Sequence, residues 1–160
     1  MSRAAKLGFG LAGLILILDQ LTKWYFFAVV DLPRIGQIRL LPFFNLTLVW
    51  NQGVSFGLLG NGALWGRIAL IIFALAVSTL VATWLLKAER LWPALGMGLI
   101  IGGALGNVID RIIHGRVFDF LDFSGLGFPW IFNVADSAIT VGVIMLAWDT
   151  FFANRKHAPR

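Results

Sequence analysis

Four long apolar stretches, near residues 7–30, 64–86, 92–113 and 131–152, leave this chain few ways to fold. An α-helix rises about 1.5 Å per residue, so roughly 20 residues cross the ~30 Å hydrocarbon core of a bilayer. Lipid offers the backbone no hydrogen bonds, and a helix satisfies its own. The stretches therefore read as the four transmembrane helices of a membrane all-α protein. Hydrophobic residues form 59% of the 160, above the roughly half usual in soluble domains. A single integral membrane domain, 1–160, is expected at this length.

The first stretch opens like a secretory signal, with Arg3 and Lys6 ahead of an apolar run. No small-residue cleavage site follows it. The run continues through Asp19-Gln20-Leu21-Thr22-Lys23 into Trp24-Tyr25-Phe26-Phe27, which makes it an uncleaved first span. The net charge is +5, yet the basic residues sit at span ends and form no stripe interleaved with aromatics. Nucleic-acid binding is therefore not expected. Basic residues at span ends orient a membrane protein. Arg3, Lys6, Lys87, Arg90, Arg155, Lys156 and Arg160 fall on one side. Arg34, Arg39 and Arg116 fall on the other, with Arg67 and Arg111 near span ends. This bias puts both termini in the cytoplasm. The absence of cysteine excludes disulfides, thiolate nucleophiles and Cys-ligated metals.

Two outer segments, 31–63 and 114–130, join the spans. In the first, Asn45-Leu46-Thr47-Leu48-Val49-Trp50-Asn51 partly alternates and is β-prone, so a short strand or small extracytoplasmic sheet is expected. Asn51-Gln52-Gly53 and Gly60-Asn61-Gly62 signal turns. Phe43, Phe44, Trp50 and Phe56 suit the membrane interface. The second segment reads as an aromatic-rich loop. Within the third span Gly98, Gly102 and Gly106 recur four apart, with Ala94 leading in, a pattern that lets helices approach closely.

Ionisable groups inside a membrane are expensive, so each asks for a reason. Asp19 lies in the outer half of the first span. Asn107, Asp110 and Arg111 lie near the outer end of the third, and Asn133 and Asp136 in the first outer turns of the fourth. Asp119 is in the loop beside them. Polar groups from separate segments thus converge at one depth. Asp19 and Lys23, at i and i+4, form an acid–base pair. Asp110 is expected to pair with Arg111 or another arginine. Asp31 and Asp122 read as solvated loop charges, and Asp149, near the inner end, as structural.

Asp136 has no cation at helical spacing, and Arg116 is the nearest in sequence to Asp119. Two carboxylates brought together cannot both ionise easily, so they share a proton. One then serves as base on a water while the other polarises a carbonyl, which is aspartic-protease chemistry. Metalloprotease chemistry fits poorly: the only histidines are His114 and His157, with no His-Glu-x-x-His. A serine–lysine dyad would need Ser55 or Ser124 near Lys23, which is committed to Asp19. A small transporter or proton conductor is the alternative, since intramembrane acids also relay protons. It favours acids spread through the membrane's depth.

Five blocks, in order, resemble bacterial lipoprotein signal peptidase, the signal peptidase II family. They are Asp19-Gln20-Leu21-Thr22-Lys23, Asn51-Gln52-Gly53-Val54-Ser55-Phe56-Gly57, Gly102-Gly103-Ala104-Leu105-Gly106-Asn107-Val108-Ile109-Asp110-Arg111, Val117-Phe118-Asp119-Phe120 and Asn133-Val134-Ala135-Asp136-Ser137. The resemblance implies an aspartic endopeptidase in the bacterial inner membrane with Asp119 and Asp136 as the catalytic pair. Asn51, Gly103, Asn107, Asp110, Arg111, Asn133, Ala135 and Asp19 would bind substrate or support the site. The implied substrate is a prolipoprotein carrying diacylglyceryl on the cysteine just after the cut. No metal or cofactor is required, membrane lipid is the surrounding partner, and a monomer is expected.

Overall fold

A computed structural model describes residues 1–53 and 63–153. Phe56, Ser55, the Gly60-Asn61-Gly62 turn, His157 and the basic residues Arg155, Lys156 and Arg160 lie outside them. Helix α1 covers Arg3–Trp24 and continues as a π-helical turn over Tyr25–Val29. A one-turn helix α2, Leu32–Ile35, leads into strands β1, Gln37–Leu41, and β2, Phe44–Asn51. Helices α3, Ala63–Leu86, and α4, Leu91–Ile113, follow. Strands β3, Val117–Asp122, and β4, Ile131–Phe132, precede helix α5, Val134–Trp148. Four helical stretches are long and apolar enough to cross a membrane: 3–29, 64–86, 91–113 and 134–152.

The sheet is larger than expected. All neighbours are antiparallel, in the order β1-β2-β3-β4. The segment taken as a loop supplies β3, because Val117-Phe118-Asp119-Phe120-Leu121-Asp122 sends alternate side chains to opposite faces, as a strand does. Phe118 and Phe120 bury one face against Leu32 and Leu46. The fourth span also begins later than expected. Ile131 and Phe132 pair with Asp122 and Leu121, so these apolar residues extend the sheet and Asn133 starts the helix. Of the interfacial aromatics, Trp50 is half-buried against Phe27, His114 and Phe118, and the Arg116 guanidinium lies 4.2 Å over its ring. Phe44 packs on Phe123, while Phe43 is exposed.

Asp122 is not a solvated charge. It is buried and accepts from Thr47 Oγ1 at 2.5 Å, Ser124 N at 2.9 Å and Gln37 Nε2 at 3.5 Å. The Thr47 hydroxyl, ahead of the opposing effect of burial, holds its carboxyl below the usual carboxylate range. A strand-end acid looks like a loop charge in sequence because its partners come from β1 and β2. Asp31 is exposed, as expected. Asp149 accepts from Arg90 at 2.6 and 2.8 Å, which ties α5 to the start of α4.

Helix α4 is the most enclosed of the four, and its small residues explain why. A side chain on Gly98 would strike the Gly8 carbonyl of α1. One on Gly102 would come within 2.5 Å of the Ala12 carbonyl and 2.9 Å of Ile15. On another face, a side chain on Gly103 would strike the Ala135 carbonyl of α5. Without side chains there, α4 lies directly on two helix backbones, and dispersion contacts replace the hydrophobic drive that lipid does not provide. Gly98→Leu is therefore expected to cost about 1–3 kcal/mol or more, by the scale for overpacking. Gly10→Ala, where a new side chain meets nothing within 4 Å, is expected not to destabilise. Thermal unfolding of both variants in detergent measures the contrast.

Candidate active site

The site is built where α5 begins. Asn133 is the N-cap: its side-chain Oδ1 accepts from Asp136 N at 2.9 Å. Asp136 returns the contact, its Oδ2 accepting from Asn133 N at 3.3 Å. This reciprocal capping box satisfies two otherwise unpaired donors of the first turn. It also fixes a carboxylate at a helix N-terminus, where the helix dipole favours negative charge.

Asp119 comes from β3. Strand alternation that buries Phe118 and Phe120 on one face turns Asp119 to the other. Its backbone pairs with Val49, and Asn51 sits two residues along β2 on the same face. Asn51 Nδ2 donates to Asp119 Oδ2 at 2.9 Å, and Asn133 Nδ2 donates to Asp119 Oδ1 at 2.7 Å. Asp119 was expected on a loop beside the other polar groups; sheet pairing holds it instead.

Asn107 of α4 links the two acids to the bundle interior. Its Nδ2 donates to Asp136 Oδ1 at 2.7 Å, and its Oδ1 accepts from Asn133 Nδ2 at 3.1 Å. Beneath it lies a buried ionic cluster. Lys23 Nζ is 2.8 Å from Asp19 Oδ2 and 3.0 Å from Asp110 Oδ2. Gln20 Nε2 donates to Asp110 Oδ1 at 3.0 Å and Asp19 Oδ2 at 3.2 Å. Backbone donors complete the cluster: Ala135 N to Asp19 Oδ1 at 2.9 Å and Phe118 N to Asp110 Oδ2 at 3.1 Å.

The Asp19–Lys23 pair is as expected, but Asp110 does not pair with Arg111. Adjacent helical residues point about 100° apart, so Asp110 faces α1 and meets Lys23. Arg111 NH1 instead donates to the Asn107 carbonyl at 3.2 Å, and its Nε is buried without a hydrogen-bond partner. Arg111 still interacts electrostatically with Asp136 first and Asp119 second. Gly103 and Ala135 act through packing and, for Ala135, through its backbone N–H. Gln20 was missed, and Lys23 was seen only as the partner of Asp19. Both stand in the motif 19–23, so the signal was present, but a bond to α4 has no trace in helical spacing.

The Asp119 carboxyl is pushed up to about 7. Burial is the main cause and the neighbouring Asp136 charge the next; the bonds from Asn51 and Asn133 oppose them. Among the described residues, no basic nitrogen lies within 4.0 Å of either acid. A groove of about 480 Å³, lined by Trp50, Asn51, Gly53, Asp119, Trp130 and Ile131, opens onto Asp119. A cavity of about 230 Å³ between α3, α4 and α5 is apolar along Phe73, Ile100 and Ile139 and ends at Asn107 and Arg111. Among the described residues no group of three His, Asp or Glu side chains gathers to hold a metal.

Four helices long and apolar enough to cross a membrane, with a buried Asp119 beside a half-buried Asp136 and a small sheet next to them, define a polytopic membrane protein with a polar site. The family model described as signal peptidase (SPase) II matches residues 11–152. The chain belongs to the signal peptidase II family. It is 44% identical to a lipoprotein signal peptidase of Caulobacter vibrioides over 96% of this chain and 92% of that one. A lipoprotein signal peptidase of Burkholderia thailandensis is 46% identical over 88% of this chain and 84% of its own. A bacterial membrane enzyme solved by the in meso method at 1.9 Å superposes with a TM-score of 0.78 at 30% identity, covering 92% of this chain and 94% of that one.

Asn133→Ala removes the α5 cap and a donor to Asp119, and is expected to destabilise the protein by about 1–2 kcal/mol or more. Asn133→Ser restores a cap acceptor and is expected to recover part of that loss. Thermal midpoints of the two variants in detergent decide it.

Proposed function

We propose that this protein is an aspartic endopeptidase that removes signal peptides from prolipoproteins carrying diacylglyceryl on the cysteine just after the cut. The observation that carries the reading is one hydrogen-bonded string joining Asp119 and Asp136 through Asn133 and Asn107, with the Asp119 carboxyl raised to about 7. With its carboxyl raised to about 7, Asp119 holds its proton in a large share of molecules near neutral pH. The ionised carboxylate takes a proton from water, and the oxygen attacks the scissile carbonyl carbon. The protonated carboxyl donates to the carbonyl oxygen as the tetrahedral intermediate forms. Collapse breaks the C–N bond, and a proton passes to the leaving amine of the lipid-bearing cysteine.

Asn51, Asn107 and Asn133 hold the two acids, and Arg111, at the polar end of the cavity between α3, α4 and α5, binds substrate carbonyls. Asp19, Asp110, Gly103 and Ala135 hold the frame. An apolar signal peptide suits that cavity, and the groove beside Trp130 suits the residues after the cut. The chain forms one integral domain of the bacterial inner membrane, with both termini cytoplasmic and the site at the outer face, where a lipid-anchored substrate presents its bond. The acids gather at one end of the bundle, which disfavours a proton conductor.

Asp119→Asn and Asp136→Asn, purified in detergent and assayed on a diacylglyceryl-modified prolipoprotein, are each expected to fold and to lose activity about a thousandfold. Full activity in either variant overturns the assignment. In the wild type, kcat/KM is expected to fall as pH rises through about 7, because the raised Asp119 carboxyl then gives up the proton the pair needs. A rate that climbs steadily from pH 6 to pH 9 contradicts this.

A further inference from the structure

The string of amides has a direction, and the ionic cluster sets it. An ammonium only donates, whereas an amide carries its donor and acceptor on different atoms. The buried Lys23 Nζ, besides meeting Asp19 and Asp110, lies 3.4 Å from Asn107 Oδ1. With Asn133 Nδ2 at 3.1 Å, that oxygen receives two donors. The Asn107 NH2 is thereby turned to Asp136 Oδ1. Rotated by a half-turn, the amide would set its NH2 against an ammonium and another NH2, and its oxygen against a carboxylate. Three favourable contacts would become three repulsive ones.

We infer that Lys23 is a positioning residue for the proposed hydrolysis: its ammonium locks the Asn107 amide so that the NH2 group is aimed at the Asp136 carboxylate. The inference rests on the dyad reading. Lys23 contributes no reacting atom and works through Asn107. The same cluster grips the other side of the site, where Asp19 Oδ1 accepts from Ala135 N, next to Asp136 in sequence. Two cations act on the acid pair: Lys23 also reaches Asp119 directly by its charge, and Arg111 of α4, felt by both acids, bonds the Asn107 backbone carbonyl, leaving its amide untouched. If Lys23 merely neutralised Asp19 and Asp110, its loss would reduce the folded fraction and leave turnover per folded molecule intact.

The test compares Lys23→Gln, Lys23→Arg and the double variant Lys23→Gln/Asp110→Asn, assayed on the diacylglyceryl-modified prolipoprotein and normalised to folded protein. The double variant loses one acid and one base together, so it keeps the cluster's net charge and supplies the answer if the single variant does not fold. In Lys23→Gln or the double variant, kcat is expected to fall about tenfold with KM held within about twofold. Lys23→Arg is expected to restore most of the rate, since a guanidinium, like an ammonium and unlike the glutamine amide, only donates, and a cavity of about 210 Å³ bounded by Gln20, Lys23, Trp24 and His114 has room for its larger head. In an Asn107→Ala background, Lys23→Gln is expected to have little further effect, because no amide remains to orient. Unchanged kcat per folded molecule, KM and kcat moving together, no rescue by arginine, or full additivity with Asn107→Ala each overturns the inference. If Asp119→Asn or Asp136→Asn keeps full activity, the dyad reading has failed. If both are inactive while Lys23→Gln turns over normally, only the role of Lys23 has failed.

Discussion

A lysine ammonium shared between two buried carboxylates is the interaction on which the remaining architecture rests. Removing charges from water costs several kcal/mol for each ion, and their attraction offsets this only when every remaining donor and acceptor is also satisfied. Here the satisfaction comes from different parts of the chain. Asp19, Gln20 and Lys23 belong to α1, Asp110 to α4, and the Phe118 and Ala135 N–H groups to β3 and α5. Shifting any one of these elements strands a charge, and breaking a buried pair costs about 3–5 kcal/mol. The cluster therefore holds the sheet to the bundle as well as helix to helix. It needs close approach to do so: a side chain on Gly106 would come within 2.5 Å of Asp19 Oδ2.

Above this base, the acid pair is held by amides and not by cations. The difference matters chemically. A bonded arginine would keep both carboxylates ionised, whereas neutral donors leave burial and mutual repulsion free to raise one of them. Arg111 is near enough to be felt by both acids and far enough to form no ion pair within 4.0 Å. Asn51 comes from a strand, Asn107 from the middle helix and Asn133 from a helix cap. Three unrelated backbone environments thus supply the same chemical group.

The helices were legible in the sequence because hydrocarbon thickness sets their length and composition. The gathering of polar groups at one depth was legible because span direction converts residue number into height. What escaped were features decided by partners remote in sequence. Val117–Asp122 was read as a loop since six residues of mixed aromatics and acids carry a weak strand signal until β2 lies beside them. Ile131 and Phe132 are as apolar as a span and went to the sheet instead. Asp122 looked solvated until Thr47 and Gln37 were placed against it. Asp110 was matched with its sequence neighbour Arg111, whereas its partner, Lys23, lies on another helix.

The capping box at the start of α5 has a consequence for how this protein ages under heat or in detergent. Helix ends are ordinarily the first places to fray, with opening free energies near zero, and fraying there usually goes unnoticed by function. In this chain the terminal turn includes Asp136, and the residue that closes it also holds Asp119. Fraying by a single turn would therefore separate the two carboxylates while the bundle stayed folded. Spectroscopic measures of helix content would report an intact protein in a sample whose two acids had already come apart.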